Sequence, residues 1–164
     1  MKKRPTVEIY TDGACAGNPG PGGYGVILKF QNITRELFGG FSRTTNNRME
    51  LMAAIKGLEA LKTPCRVFLY SDSRYLIDSI TKGWVEKWKK NGWRRNGKEP
   101  AKNADLWEKL LSLSTPHEIT WVWVKGHAAD QYNNRCDQLA NEALKKQPLP
   151  PDEGYREEEG GRMG

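Results

Sequence analysis

Apolar and polar positions alternate with a period of two over residues 6–11, where Val7 and Ile9 share one face. That spacing predicts a strand, ending at Asp12-Gly13. The glycine- and proline-rich run 17–23 is a strong turn signal. Residues 24–30 and 33–41 read as two further strands joined at Gln31-Asn32, so the chain opens with an antiparallel meander. The period then changes. Thr44-Thr45-Asn46-Asn47 offers N-cap residues, and Leu51, Ile55 and Leu58 recur at helical spacing as far as Leu61. Residues 66–70 form a β-prone run ending at Ser71-Asp72, and a helix through Leu76 and Ile80 follows. Leu106, Leu110 and Leu113 mark a helix over 104–113. Residues 118–124 are a strand rich in Trp and Val. Cys136, Leu139, Ala140, Ala143 and Leu144 form one stripe of a helix over 134–145.

Strands followed by alternating helices and strands predict an α/β domain with a mixed sheet. At 164 residues the chain suits one core. We assign residues 1–147 to that domain and read 148–164 as a disordered tail, because its Pro-, Gly- and Glu-rich sequence has little apolar surface to offset the entropy of ordering. No apolar run approaches the ~20 residues of a membrane span. The basic start lacks an apolar segment behind it, so no leader is expected. Cys15, Cys65 and Cys136 lack metal-ligand spacing, and a reduced, cytoplasmic, monomeric protein is the expectation. The net charge of +6 is uneven: residues 152–164 carry five acids and two bases, or −3, which leaves +9 on the rest. A basic body favours a polyanionic partner without identifying it.

Four acids fall where elements begin or end: Asp12 after the first strand, Glu50 early in the first long helix, Asp72 after the fourth strand and Asp137 at the opening of the last helix. Ligand sites in open α/β sheets lie at the carboxyl ends of strands. Were the first and fourth strands adjacent and parallel, Asp12 and Asp72 would emerge at one edge, with Glu50 and Asp137 closing in from helices. Converging carboxylates stay ionised together only beside a cation. Oxygen ligands favour Mg²⁺, or Mn²⁺, over Zn²⁺. Two such ions about 3.5–4 Å apart suit phosphoryl displacement. Taken singly, each acid better fits the plainer role of cap, turn residue or surface charge.

The blocks around these acids carry more information. Tyr10-Thr11-Asp12-Gly13-Ala14-Cys15 with Gly17-Asn18-Pro19-Gly20 resembles the opening of bacterial type 1 ribonuclease H. So do Thr44-Thr45-Asn46-Asn47-Arg48-Met49-Glu50-Leu51, Tyr70-Ser71-Asp72-Ser73, and Trp123-Val124-Lys125-Gly126-His127 followed by Asn134-Arg135-Cys136-Asp137, in the same order and at similar spacing. The resemblance covers about the first 145 residues. It implies a ribonuclease H-like fold, a five-stranded mixed sheet flanked by helices. It also implies endonucleolytic cleavage of the RNA strand of RNA–DNA hybrids by two metal ions, leaving 3′-hydroxyl and 5′-phosphate ends. Asp12, Glu50, Asp72 and Asp137 match the metal-binding carboxylates, with Asp12 the candidate to bridge both ions, and His127 matches a mobile histidine. Asn18, Asn46 and Asn47 match substrate contacts, and neutral amides can bond a 2′-hydroxyl or base edge without adding charge to the cluster. Thr45 and Arg48 in the same block are candidates for holding a phosphate.

Residues 82–102 hold eight Lys or Arg against Glu86 and Glu99, interleaved with Trp84, Trp88 and Trp93. Trp84 and Trp88, four apart, share a helix face. The segment resembles the basic handle of the bacterial enzymes, which implies phosphate contacts by Lys89, Lys90, Arg94 and Arg95 and a sugar or groove contact by Trp84 or Trp88. The plainer alternative gives the indoles to packing, and at least one is expected to be structural. Two rivals remain at this level: another two-metal nuclease or integrase-like enzyme, and a catalytically silent hybrid-binding module. The Asn-rich helix start disfavours the first, and retention of the four acids with His127 disfavours the second.

Overall fold

The early alternation builds three antiparallel strands, β1 (Thr6–Cys15), β2 (Gly20–Phe30) and β3 (Ile33–Thr44). The computed structural model describes residues 4–96, 99–125 and 130–156. Helix α1 (Asn46–Glu59) returns the chain to β4 (Arg66–Ser71), which pairs parallel to β1. Helices α2 (Arg74–Thr81) and α3 (Trp84–Lys90) follow, then a small hairpin of β5 (Arg94–Asn96) and β6 (Glu99–Pro100), helix α4 (Ala104–Ser114), strand β7 (Glu118–Trp123) parallel to β4, and helix α5 (Gln131–Leu144). The main sheet has five strands in the order β3-β2-β1-β4-β7, with β1 central. This is the expected mixed sheet.

Alternation along β1 divides the core. Val7 and Ile9 join Val26, Leu28, Leu51, Ile55, Leu58, Leu106 and Trp107 on the face covered by α1 and α4. Tyr10 and Ile27 face the other way, against Cys136 and Leu139 of α5. Burying each large apolar side chain contributes about 1.5–3 kcal/mol. Two close approaches set the helix positions. A Cβ at Gly13 would lie 2.5 Å from the backbone nitrogen of Glu50, so α1 sits directly on β1 there. A Cβ at Gly25 would strike the carbonyl of Cys136, so α5 rests against β2 with nothing between.

Several boundaries differ from the sequence reading. β1 runs three residues past Asp12, because the meander ladder extends to Cys15 opposite Gly22. The helix expected over 134–145 begins earlier, at Gln131, where the Asp130 side chain accepts from the nitrogens of Tyr132 and Asn133.

The disorder expected from residue 148 onward does not hold for 148–156. The nitrogen of Ser42 donates to the carbonyl of Pro150 at 2.8 Å. Arg48, only 1% exposed, donates through Nε to Asp152 Oδ2 at 2.7 Å and through Nη2 to Asp105 Oδ2 at 2.7 Å. Thr44 Oγ1 donates to Asp152 Oδ2 at 2.6 Å. Composition pointed to disorder because it counts apolar surface. The segment is held instead by polar contacts, chief among them a buried ion pair whose cation is contributed by a helix 104 residues earlier. Residues 157–164 lie outside the described residues.

Candidate active site

The parallel pairing of β1 with β4 ends at Tyr10 opposite Tyr70, so the chains separate just as each reaches its acid, Asp12 and Asp72. Asp12 still pairs with Gly25 on its other side, which keeps its backbone in the sheet while its side chain emerges at the edge. Helix α1, seated on Gly13, brings Glu50 to the same point. One carboxylate oxygen from each of Asp12, Glu50 and Asp72 lies within 4.8 Å of the other two. Asp137 stands outside this tight trio but lines one small cavity with Asp12 and Asp72, and its electrostatic influence reaches both Asp12 and Glu50. It lies in the second turn of α5, and Asn141 Nδ2 donates to its Oδ1 at 3.1 Å.

Electrostatics reflect this crowding. Burial first, then the charges of Asp72 and Asp137, pushes the Asp12 carboxyl up to about 8, although the Gly13 nitrogen donates to its Oδ1 at 2.9 Å. Burial and then the charges of Asp12 and Asp72 raise Glu50 well above the usual carboxylate range. Glu50 Oε1 is buried and accepts no hydrogen bond among the described residues. An unsatisfied buried carboxylate oxygen costs free energy unless something positive meets it. Hard anionic oxygens, closely spaced and under-satisfied, fit a Mg²⁺-type ion.

Beneath the cluster Tyr10 stacks on Tyr70 with ring centroids 4.7 Å apart, and Tyr132 of α5 packs at 4.8 Å. These rings join β1, β4 and α5, the elements that carry Asp12, lead directly into Asp72 and carry Asp137.

The other predicted residues divide. Asn18 Oδ1 accepts from the nitrogen of Asn46 at 3.0 Å, so the first turn and the start of α1 form one exposed polar surface with Asn47. Thr45 caps α1, accepting from the nitrogen of Arg48 at 3.3 Å. Arg48 is not available to a phosphate: its guanidinium is enclosed by Asp105, Asp152 and Asn103. In the handle, Trp88 packs edge-on against the fully buried Trp107 at 6.3 Å, and Trp93 also packs against the core, so both are structural indoles. Trp84 is 42% exposed, with Lys82 Nζ 5.5 Å from its ring centroid. Lys89 and Lys90 are exposed, and Arg95 pairs with Glu99 at 2.7 Å. His127 lies outside the described residues. The sequence reading missed Lys125, Asn133 and Asn134, which line the cavity beside Asp12. Their signal was adjacency: Lys125 and Asn134 lie within blocks already singled out, and Asn133 immediately precedes the second.

Known proteins resemble this chain in sequence and in fold. The RNase H family profile matches residues 4–145. A ribonuclease H of Rippkaea orientalis is 64% identical over 149 residues, covering 91% of each chain. The crystal structure of LC9-RNase H1, a type 1 RNase H with the type 2 active-site motif, superposes with a TM-score of 0.79 at 31% identity, covering 88% of this chain and 74% of that one. LC11-RNase H1 in complex with RNA/DNA hybrid shares the fold with a TM-score of 0.65 at 24% identity, over 84% of this chain and 96% of that one. With a profile match over residues 4–145 and a relative this similar, the chain belongs to the ribonuclease H family.

Proposed function

We propose that this protein is an endonuclease that hydrolyses the RNA strand of RNA–DNA hybrids with divalent metal ions, leaving 3′-hydroxyl and 5′-phosphate ends. One observation carries the proposal: two buried carboxylates and a half-buried third share a point at the sheet edge, one of them with an unsatisfied oxygen, and a fourth lies across a small cavity. Asp12, Glu50, Asp72 and Asp137 would hold two Mg²⁺ ions, with Mn²⁺ as a substitute and Asp12 as the candidate ligand common to both. When bound, such ions activate water and stabilise a departing alkoxide.

The chain's own residues supply the rest. Asn18, Asn46 and Asn47 offer amides to the RNA strand beside the carboxylates, where a 2′-hydroxyl distinguishes RNA from DNA. Lys89, Lys90, Arg94 and Arg95 give the handle a positive surface for the other strand, with Trp84 as its exposed aromatic; Trp88 belongs to the core. Lys125 places a cation at the cavity mouth, suited to a phosphate oxygen. His127, by its place in the sequence motif, is assigned to proton transfer, for which the ordinary imidazole pKa of about 6.5 is suitable. The hybrid-bound structure of LC11-RNase H1 supports the choice of substrate at the level of the fold. No helix among the described residues is long and apolar enough to cross a membrane, and we place the protein in the cytoplasm as a monomer.

The test is cleavage of an end-labelled hybrid beside DNA and RNA duplexes of the same sequence, with Mg²⁺ and with EDTA. Metal-dependent cutting of the hybrid's RNA strand alone is expected. Equal cutting of a homoduplex, or binding without cleavage, would favour the rival nuclease or the silent binding module.

A further inference from the structure

Asp72 is the least buried of the three converging acids, and it lies past the last residue of β4. The sheet ladder alone therefore does not hold its peptide. Trp123, the last residue of β7, is in register with Ser71, and the next nitrogen, that of Val124, donates to the carbonyl of Ser71 at 2.9 Å. The indole of Trp123 then reaches across: its Nε1 donates to the carbonyl of Asp72 at 3.2 Å. From the other direction the nitrogen of Ser73 donates to Ser71 Oγ at 3.0 Å, and Ser73 Oγ caps α2 by accepting from the nitrogen of Leu76 at 3.1 Å. Peptides on both sides of Asp72 are thus tied down, one of them by a side chain from a different strand.

That side chain is itself held. Trp123 is 38% exposed, and an exposed ring can rotate away from its bond. The guanidinium carbon of Arg74, first residue of α2, lies 3.9 Å from the centroid of the Trp123 ring. A planar guanidinium stacked at this distance gains cation–π attraction and fixes the plane in which the indole N–H points. Arg74, Trp123 and the carbonyl of Asp72 form a chain from the start of α2 through the end of β7 to the residue whose carboxylate meets Asp12 and Glu50.

We propose that Trp123 is a positioning residue for Asp72, its indole N–H fixing the Asp72 peptide and hence the aim of that carboxylate toward Asp12 and Glu50, with Arg74 orienting the indole. The inference rests on the metal-binding reading of those acids. Carboxylate ligands hold an ion well only when aimed within about 0.5 Å and 10–20°, and partners behind the ligands govern that aim. The alternative role for Arg74, a cation acting only by its charge near Asp72, has the opposite sign. A nearby positive charge weakens metal binding, whereas an orienting stack strengthens it.

The experiment compares the full-length protein with Trp123→Phe, which retains a ring for Arg74 and loses the N–H, and with Arg74→Lys, which retains the charge and loses the flat stack. Mn²⁺ binding is measured by calorimetry without nucleic acid, and hybrid binding by fluorescence anisotropy in EDTA. Trp123→Phe is expected to weaken Mn²⁺ binding by about 3- to 10-fold and to change hybrid binding by less than about 2-fold. Arg74→Lys is expected to weaken Mn²⁺ binding in the same direction by about 2-fold. Unchanged Mn²⁺ affinity in Trp123→Phe would overturn the inference. So would loss of hybrid binding with Mn²⁺ affinity intact, which would make the indole a substrate contact. Should Trp123→Phe fail to fold, the exposed Arg74→Lys decides the matter, and an unchanged Mn²⁺ affinity there overturns the inference. Absence of Mn²⁺ binding by the unaltered protein would overturn the metal reading itself.

Discussion

Asp152→Asn tests whether the C-terminal segment is part of the fold. The Arg48 and Asp152 side chains are 1% and 4% exposed, and two hydrogen bonds of 2.7 and 3.1 Å join them. The substitution removes the charge and one of the two accepting oxygens, and Thr44 Oγ1 competes for the oxygen that remains. Arg48 keeps Asp105 at 2.9 and 2.7 Å, but that carboxylate is 46% exposed and cannot replace the buried partner. Breaking a buried pair outright costs about 3–5 kcal/mol; with one counter-charge retained, a loss of about 2–4 kcal/mol is expected. For a domain of this size that corresponds to roughly 5–12 °C in Tm. Urea titration should show a lower midpoint with an unchanged slope. The loss should persist at about 0.5 M NaCl, because a buried pair is weakly screened. A cost under about 1 kcal/mol, or one erased by salt, is what a surface pair gives, and it would refute the docked-tail account.

Three further predictions come from the site. Asp12, raised to about 8 in the metal-free fold, binds its proton more tightly there than in the unfolded chain, so metal-free stability should fall as pH rises from about 4 to about 8. Asp12→Asn should accordingly raise metal-free stability near pH 8 by roughly 1–3 kcal/mol while abolishing cleavage; denaturant titration with a hybrid-cleavage assay checks both, and a less stable or fully active variant would contradict the shared-site geometry. Mg²⁺ must displace that proton, so the increase in Tm with saturating Mg²⁺ should be larger at pH 8 than at pH 6, with proton release seen by calorimetry in two buffers. Gly25→Ala should cost at least about 2 kcal/mol and lower metal affinity, since a Cβ there meets the Cys136 carbonyl and displaces the helix carrying Asp137; unchanged stability and affinity would show that α5 has room to move.

Much of this protein was legible in its letters, for reasons of period and local chemistry. Val7 and Ile9 alternate because a strand places every second residue on one face, and Leu51, Ile55 and Leu58 recur because a helix turns every 3.6 residues. The elements of the main sheet, the longer helices and their order, and four acids near element ends, needed no tertiary knowledge. Three things did. The trio at the sheet edge exists because β1 lies beside β4 and Gly13 lets Glu50 approach, and neither fact is encoded within any one segment. Trp88 and Trp84 are both indoles in one basic stretch, and only the presence of Trp107 under one of them separates core from surface. Arg48 reads as a free cation beside a helix cap until the chain returns 104 residues later and sets Asp152 against it. Local propensity depends on neighbours a few residues away, whereas the burial and charge of a side chain depend on neighbours in space, and those are decided only when the whole chain has closed on itself.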